Sequence, residues 1–96
     1  MRKLEKESPL EDRCVAKVEA RGGRALKLVV LGRRGFKDRT AMLPGGKIFW
    51  FECKRAKVGV ISAQQHKWKR DLEALGFKVY FIDNDAAFDA VLEEWK

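Results

Sequence analysis

Ile48-Phe49-Trp50-Phe51-Glu52-Cys53-Lys54 runs three consecutive aromatic residues into a carboxylate, a thiol and an ammonium. Aromatic and β-branched runs favour an extended, pleated chain. Side chains then alternate between faces, so Trp50, Glu52 and Lys54 share one face and Phe49, Phe51 and Cys53 the other. Glu52 and Lys54 stand roughly 6.5–7 Å apart at Cα, two strand rises. Just upstream, Pro44-Gly45-Gly46-Lys47 has the composition of a hairpin turn, which makes Asp38 to Leu43 the antiparallel partner. Counting back from a turn centred on Gly45-Gly46 sets Asp38 opposite position 53, within one residue of Glu52.

Outward from this hairpin, Ser8-Pro9-Leu10-Glu11 reads as a helix start, with Ser8 as N-cap, Pro9 at the first helical position and Glu11 closing a capping box. Leu10, Cys14, Val15 and Val18 recur at helical spacing until Gly22-Gly23 stops the run. Ala25 to Leu31 reads as a strand, and Gly32-Arg33-Arg34-Gly35 as a basic loop. Downstream, Ser62 opens a helix with Trp68, Leu72 and Leu75 on its stripe and Gly76 as its stop. Phe77 to Ile82 is a fourth strand. Asp83 or Asn84 caps a last helix striped by Phe88, Val91, Leu92 and Trp95. The order α-β-β-β-α-β-α, with hairpins first and a helical crossover later, predicts a single α/β domain with a mixed sheet flanked by helices.

The chain has 96 residues, 46% of them hydrophobic and 36% charged, which suits one small globular domain and argues against disorder or a fibrous repeat. Its longest apolar runs, Leu28-Val29-Val30-Leu31 among them, are far short of a membrane span, and the first seven residues, expected to be flexible, lack a secretory pattern. Cys14 and Cys53 form no CxxC pair, so reduced thiols and a cytoplasmic location are expected, with no membrane partner.

Twenty-one Lys and Arg oppose fourteen Asp and Glu, for a net charge of +7. Residues 21–70 hold fourteen of the bases and only two acids, Asp38 and Glu52, whereas residues 83–96 carry five acids against Lys96. A surface of that kind attracts a polyanion, nucleic acid above all, with binding that weakens as salt rises. The two acids repel phosphate in a region otherwise suited to it. Their placement at one end of one hairpin suits a hard cation such as Mg²⁺ or Mn²⁺, which accepts carboxylates, water and phosphate oxygens. The plainer alternatives are a strand-end ion pair for Glu52 and Lys54, and a strand-start cap or an Arg39 partner for Asp38.

Glu11, Gly35-Phe36-Lys37-Asp38-Arg39, Glu52-Cys53-Lys54 and Ser62-Ala63-Gln64-Gln65, in this order, resemble the VRR-NUC domain, the virus-type replication-repair nuclease branch of the PD-(D/E)XK superfamily. The resemblance runs from about Glu7 to Leu92. It departs from the family pattern at Lys37, where proline is common, and at Cys53, where an aliphatic is usual.

The resemblance implies that Asp38, Glu52 and the Cys53 backbone carbonyl hold Mg²⁺ or Mn²⁺, and that Lys54 orients or deprotonates the attacking water. Glu11 is divided between helix capping and support of the metal, directly or through water. Gln65 is divided between a second capping box and bracing of the catalytic strand. Arg33, Arg34, Lys37, Arg39, Arg55 and Lys57 are candidate phosphate contacts, and Lys67, Lys69 and Arg70 either extend that surface or solvate their helix. The single histidine, His66, is expected to be exposed, and Trp50 to be core or a stacking surface for a base.

The activity implied is a metal-dependent DNA endonuclease acting on branched or duplex DNA, most simply a Holliday-junction resolving homodimer in a phage setting. Symmetric cleavage of a four-way junction needs two active sites, which a twofold pair supplies. Flaps or plain duplex are alternative substrates. A double-stranded-RNA-binding module without catalysis shares the α-β-β-β-α part of the order, but has no use for Asp38 and Glu52.

Overall fold

A computed structural model describes residues 9–27, 39–54 and 63–96. The elements follow the expected order: α1 Pro9–Ala20, β1 Arg24–Lys27, β2 Arg39–Leu43, β3 Lys47–Cys53, α2 Ala63–Ala74, β4 Val79–Ile82 and α3 Asp85–Glu94. One four-stranded sheet has the spatial order β1-β2-β3-β4. The first two pairings are antiparallel and β3–β4 is parallel, so the sheet is mixed.

Helix α1 buries Leu10, Cys14 and Val18, one residue per turn. It ends on two glycines with different duties. Gly22 has φ +87°, the left-handed conformation that glycine takes without a Cβ penalty, and its N–H donates to the Glu19 carbonyl. At Gly23 a Cβ would collide with the Met42 carbonyl oxygen, because the chain passes against β2 there before Arg24 pairs with Met42.

The β2–β3 register differs by one residue from the count made on sequence. Leu43 faces Lys47 and Arg39 faces Phe51, so the loop is Pro44-Gly45-Gly46 and centres on Gly45. Both glycines take positive φ, +90° and +76°, which permits this three-residue connection. Arg39 thereby shares the Phe51 face, away from the Glu52 side chain.

Phe49 and Phe51 are fully buried and point toward α1 and α3. Phe49 packs on Tyr80, Phe88 and Trp95 at centroid distances of 5.5, 6.2 and 5.3 Å, and Phe51 meets Phe88 at 4.8 Å. Asn84 caps α3 by accepting from Ala87 N at 2.8 Å, which places Phe88, Val91 and Leu92 inward. Trp95 follows the helix, stacks on Phe49 and donates from Nε1 to the Tyr80 hydroxyl at 3.0 Å.

The second helix departs from its expected stripe. Trp68 and Leu72 are half-buried, and the buried residue of α2 is Gln65. Leu75 is 72% exposed because the helix stops at Ala74 and turns through Gly76, φ +96°, so Leu75 has left the helical face. Phe77 precedes β4 and meets Trp50 edge-on with ring centroids 5.2 Å apart, 42% exposed. Among the described residues no helix is long and apolar enough to cross a membrane.

Helices α1 and α3 are joined at their surface by charge. Arg13 donates to both Asp85 oxygens, Lys17 bridges Asp85 and Asp89, and Arg21 reaches Glu93. Arg13, then Lys17, hold the Asp85 carboxyl down to about 2. A carboxylate whose folded value lies below its unfolded value of ~3.9 adds stability above that value and loses it as pH falls through the folded one. The melting temperature of the native chain should therefore drop more steeply between about pH 4 and pH 2 than that of Asp85→Asn, measured by circular dichroism at matched ionic strength. Parallel pH profiles would remove Asp85 from the linkage.

Candidate functional site

The alternation of β3 places Glu52 on the sheet face that α2 crosses. Its side chain is only 14% exposed. Gln65, in the first turn of α2 and buried, donates from Nε2 to Glu52 Oε2 at 2.8 Å. Lys54 Nζ lies 3.3 Å from the same oxygen. Both contacts fall on Oε2; among the described residues Oε1 accepts none. The Lys54 backbone N–H donates to the Ile82 carbonyl at 2.8 Å, so the parallel ladder with β4 holds this residue although β3 ends at Cys53. A helix start, a strand end and a parallel partner together fix one carboxylate, one ammonium and one amide.

Cys53 turns to the opposite face. Its Sγ lies 3.8 Å from Sγ of Cys14 on α1, and both cysteines are free. Donation of the Cys53 thiol hydrogen to Cys14, together with burial and the charges of Glu11 and Glu52, pushes the Cys53 thiol up. The same hydrogen bond, with Lys17 assisting, draws the Cys14 thiol down against its burial.

Glu11 also lies on this second face. Its Oε2 accepts from Arg39 Nε at 2.6 Å and stands 3.6 Å from Lys27 Nζ, and its side chain is 12% exposed. Arg39 donates in addition to the Ala25 carbonyl at 3.1 Å. The pair ties α1 to the first residue of β2 and to β1. Glu11 lines up with Cys14, Val15 and Val18 at helical spacing, so the helical period by itself turns it inward, whereas its partners Arg39 and Lys27 did not follow from the sequence; the signal available was the β2 pattern, in which Ala41 and Leu43 point to the core and Arg39 follows at the same parity.

Thr40 and Trp50 are Cα partners across β2 and β3 on the Glu52 face. Thr40 Oγ1 and Trp50 Nε1 are buried there without a hydrogen-bond partner among the described residues. Trp50 is half-buried with its ring against Phe77, and His66 is exposed as expected, edge-on to Phe81 at 5.6 Å.

The expectations for Asp38 and for Arg33, Arg34, Lys37, Arg55 and Lys57 fall outside the described residues, as do both serine N-caps, Ser8 and Ser62. Among the described residues no three His, Cys, Asp or Glu side chains gather as a metal-holding group. The described bases of the cationic stretch are mostly engaged: Arg21 with Glu93, Lys27 and Arg39 with Glu11, Lys54 with Glu52. Lys67 and Lys69 pair with Asp71 and Glu73 one turn along α2, and Lys69 also donates to the Val79 carbonyl of β4. Arg24 and Arg70 pair with no acid among the described residues.

Glu11 and Arg39 form a part-buried, charge-assisted contact, of a kind that contributes about 1.5–3 kcal/mol when its partners are well placed. A double-mutant cycle of Glu11→Ala and Arg39→Ala, read by urea denaturation, should give a coupling of about 1–2 kcal/mol. Additive losses would show that the two side chains act independently.

The protein named "Putative nuclease p44" of Acyrthosiphon pisum secondary endosymbiont phage 1 is 39% identical to this chain over 82 residues, spanning 85% of the chain and 87% of the relative. No protein-family model and no solved structure matches the chain.

Proposed function

The chain belongs to the family of that phage protein, and on this premise we propose that it is a metal-dependent DNA endonuclease that hydrolyses phosphodiester bonds, resolving four-way junctions as a homodimer. The observation that carries the reading is the convergence of Gln65 and Lys54 on one half-buried oxygen of Glu52. A carboxylate steadied in this way on Oε2 presents Oε1 as a hard oxygen donor, which suits Mg²⁺ or Mn²⁺. Asp38 immediately precedes Arg39, and Arg39 faces Phe51, the residue before Glu52. That adjacency supports Asp38 as the second carboxylate and the Cys53 carbonyl as a third oxygen.

When bound, the metal supplies Lewis acidity and a lowered water pKa. The protein's own residues do the rest. Gln65 fixes the Glu52 rotamer and so acts as a positioning residue. Lys54 holds a positive charge beside the reacting phosphate, where it orients the attacking water and offsets charge building on the phosphoryl oxygens. Glu11 and Arg39 anchor the start of β2, next to Asp38 in the chain.

Charge supports a DNA substrate. Because the described bases are largely engaged, phosphate contact falls to Arg33, Arg34 and Lys37 before β2 and to Arg55 and Lys57 after Lys54. These two segments flank the Glu52 strand in sequence. The parallel β4 strand, and a glutamate held in place by a buried glutamine, favour this reading over a double-stranded-RNA-binding module. One chain offers one such centre, so paired cleavage of a junction calls for two copies. The family relation also favours a phage or prophage setting, with the protein at work in the host cytoplasm.

Cleavage of a four-way junction, a flap and a plain duplex should be compared in Mg²⁺, in Mn²⁺ and in chelator. Glu52→Gln, Asp38→Asn and Lys54→Ala are each expected to slow cleavage by at least about 10²-fold, and Gln65→Ala by about 10–100-fold. Cleavage that persists in chelator or in Glu52→Gln would overturn the site. A one-to-one complex with the junction in sedimentation velocity would overturn the dimer.

A further inference from the structure

The nuclease reading uses Cys53 only through its backbone carbonyl and leaves the two thiols without a role. Yet the fold brings them together across 39 residues of chain, from the buried face of α1 to the last residue of β3. Two free thiols 3.8 Å apart need only a modest approach to reach the ~2.05 Å of a disulfide. Cys14 is fully buried while Cys53 is half-buried, so the pair has one covered and one reachable sulfur. We propose that Cys14 and Cys53 form a reversible oxidation site, which a small hydroperoxide converts into an intramolecular disulfide joining α1 to the end of β3.

The balance closes with hydrogen peroxide as oxidant. The reachable Cys53 thiol gives its proton to solvent as its sulfur reacts. That sulfur attacks a peroxide oxygen: an S–O bond forms, the O–O bond breaks and hydroxide leaves. Sulfur of Cys14 then attacks the sulfenic sulfur of Cys53, forming S–S, breaking S–O and releasing a second hydroxide. The two thiol protons convert both hydroxides to water, and two electrons have passed from the thiols to the peroxide. Burial of Cys14 favours a peroxide over a bulkier disulfide oxidant.

The site lies beside the proposed active centre, since Cys53 stands between Glu52 and Lys54. Drawing its sulfur toward α1 acts on the strand that carries both. This consequence rests on the nuclease reading; the oxidation chemistry does not, and the experiment separates them.

The native chain should be treated with hydrogen peroxide, its remaining thiols alkylated under denaturing conditions, and its peptides mapped by mass spectrometry. Both alkylatable thiols are expected to disappear, with the Cys14 and Cys53 peptides linked within one chain and released by dithiothreitol. The crosslinked chain should melt several degrees higher than the reduced one. In Cys14→Ala, peroxide should carry Cys53 to sulfinic acid without a crosslink. Should that variant fail to fold, the mapping of the native chain decides alone. Thiols that stay alkylatable, Cys53 oxidised beside an untouched Cys14, or links between chains would each overturn the proposal. Junction cleavage by the oxidised chain, recovered with dithiothreitol, is a separate readout, and its absence would count against the active-centre consequence only.

Discussion

Strand β3 is asked to be two things at once, and its two-residue period allows it. One face is aromatic and dry: Phe49 and Phe51 are fully enclosed by Phe88, Tyr80 and Trp95. The other face carries Glu52 into a half-buried position under α2. Full burial of each phenylalanine contributes about 1.5–3 kcal/mol, and a charge-assisted hydrogen bond such as that from Gln65 contributes on the same order. The apolar face therefore holds the strand in place while the polar face keeps a carboxylate partly out of water. Without the first, the second would relax toward solvent.

Helix α2 is subordinate to this arrangement. Its buried residue is polar, its lysines pair with acids one turn on, and its apolar residues are half covered. Little apolar burial holds it to the sheet, so the Gln65–Glu52 contact is among the main ties between helix and strand. Lys69 adds another, donating to the Val79 carbonyl at 2.8 Å and lying over the Phe81 ring. An amide that orients a carboxylate also locates a helix here, and structure and chemistry share one bond.

Charge is sorted by the same fold. Three of the five acids of residues 83–96 turn toward α1: Asp85, Asp89 and Glu93 meet Arg13, Lys17 and Arg21. Glu94 accepts from the Tyr80 hydroxyl at 2.7 Å. The acidic C-terminal stretch thus pairs with the first helix, while Arg39 and Lys54 at the hairpin pair with Glu11 and Glu52 instead. A net charge of +7 becomes local through pairing in space, which running along the chain conceals.

Period and punctuation in the sequence were sufficient for the seven elements, their order, the mixed sheet, the two faces of β3 and the inward direction of Glu11, Cys14 and Phe88, because these depend on neighbours a few residues apart. They failed wherever distance along the chain was large or a turn shifted by one residue. Leu75 kept the helical period yet lay past the helix end, and a loop centred on Gly45 moved Arg39 to the core face. Bracing of the Glu52 strand was one of two roles open to Gln65 on sequence, whereas the choice of Arg39 for Glu11 and of Cys53 for Cys14 belonged to tertiary structure alone, since each joins elements whose crossing is set by packing and not by local preference.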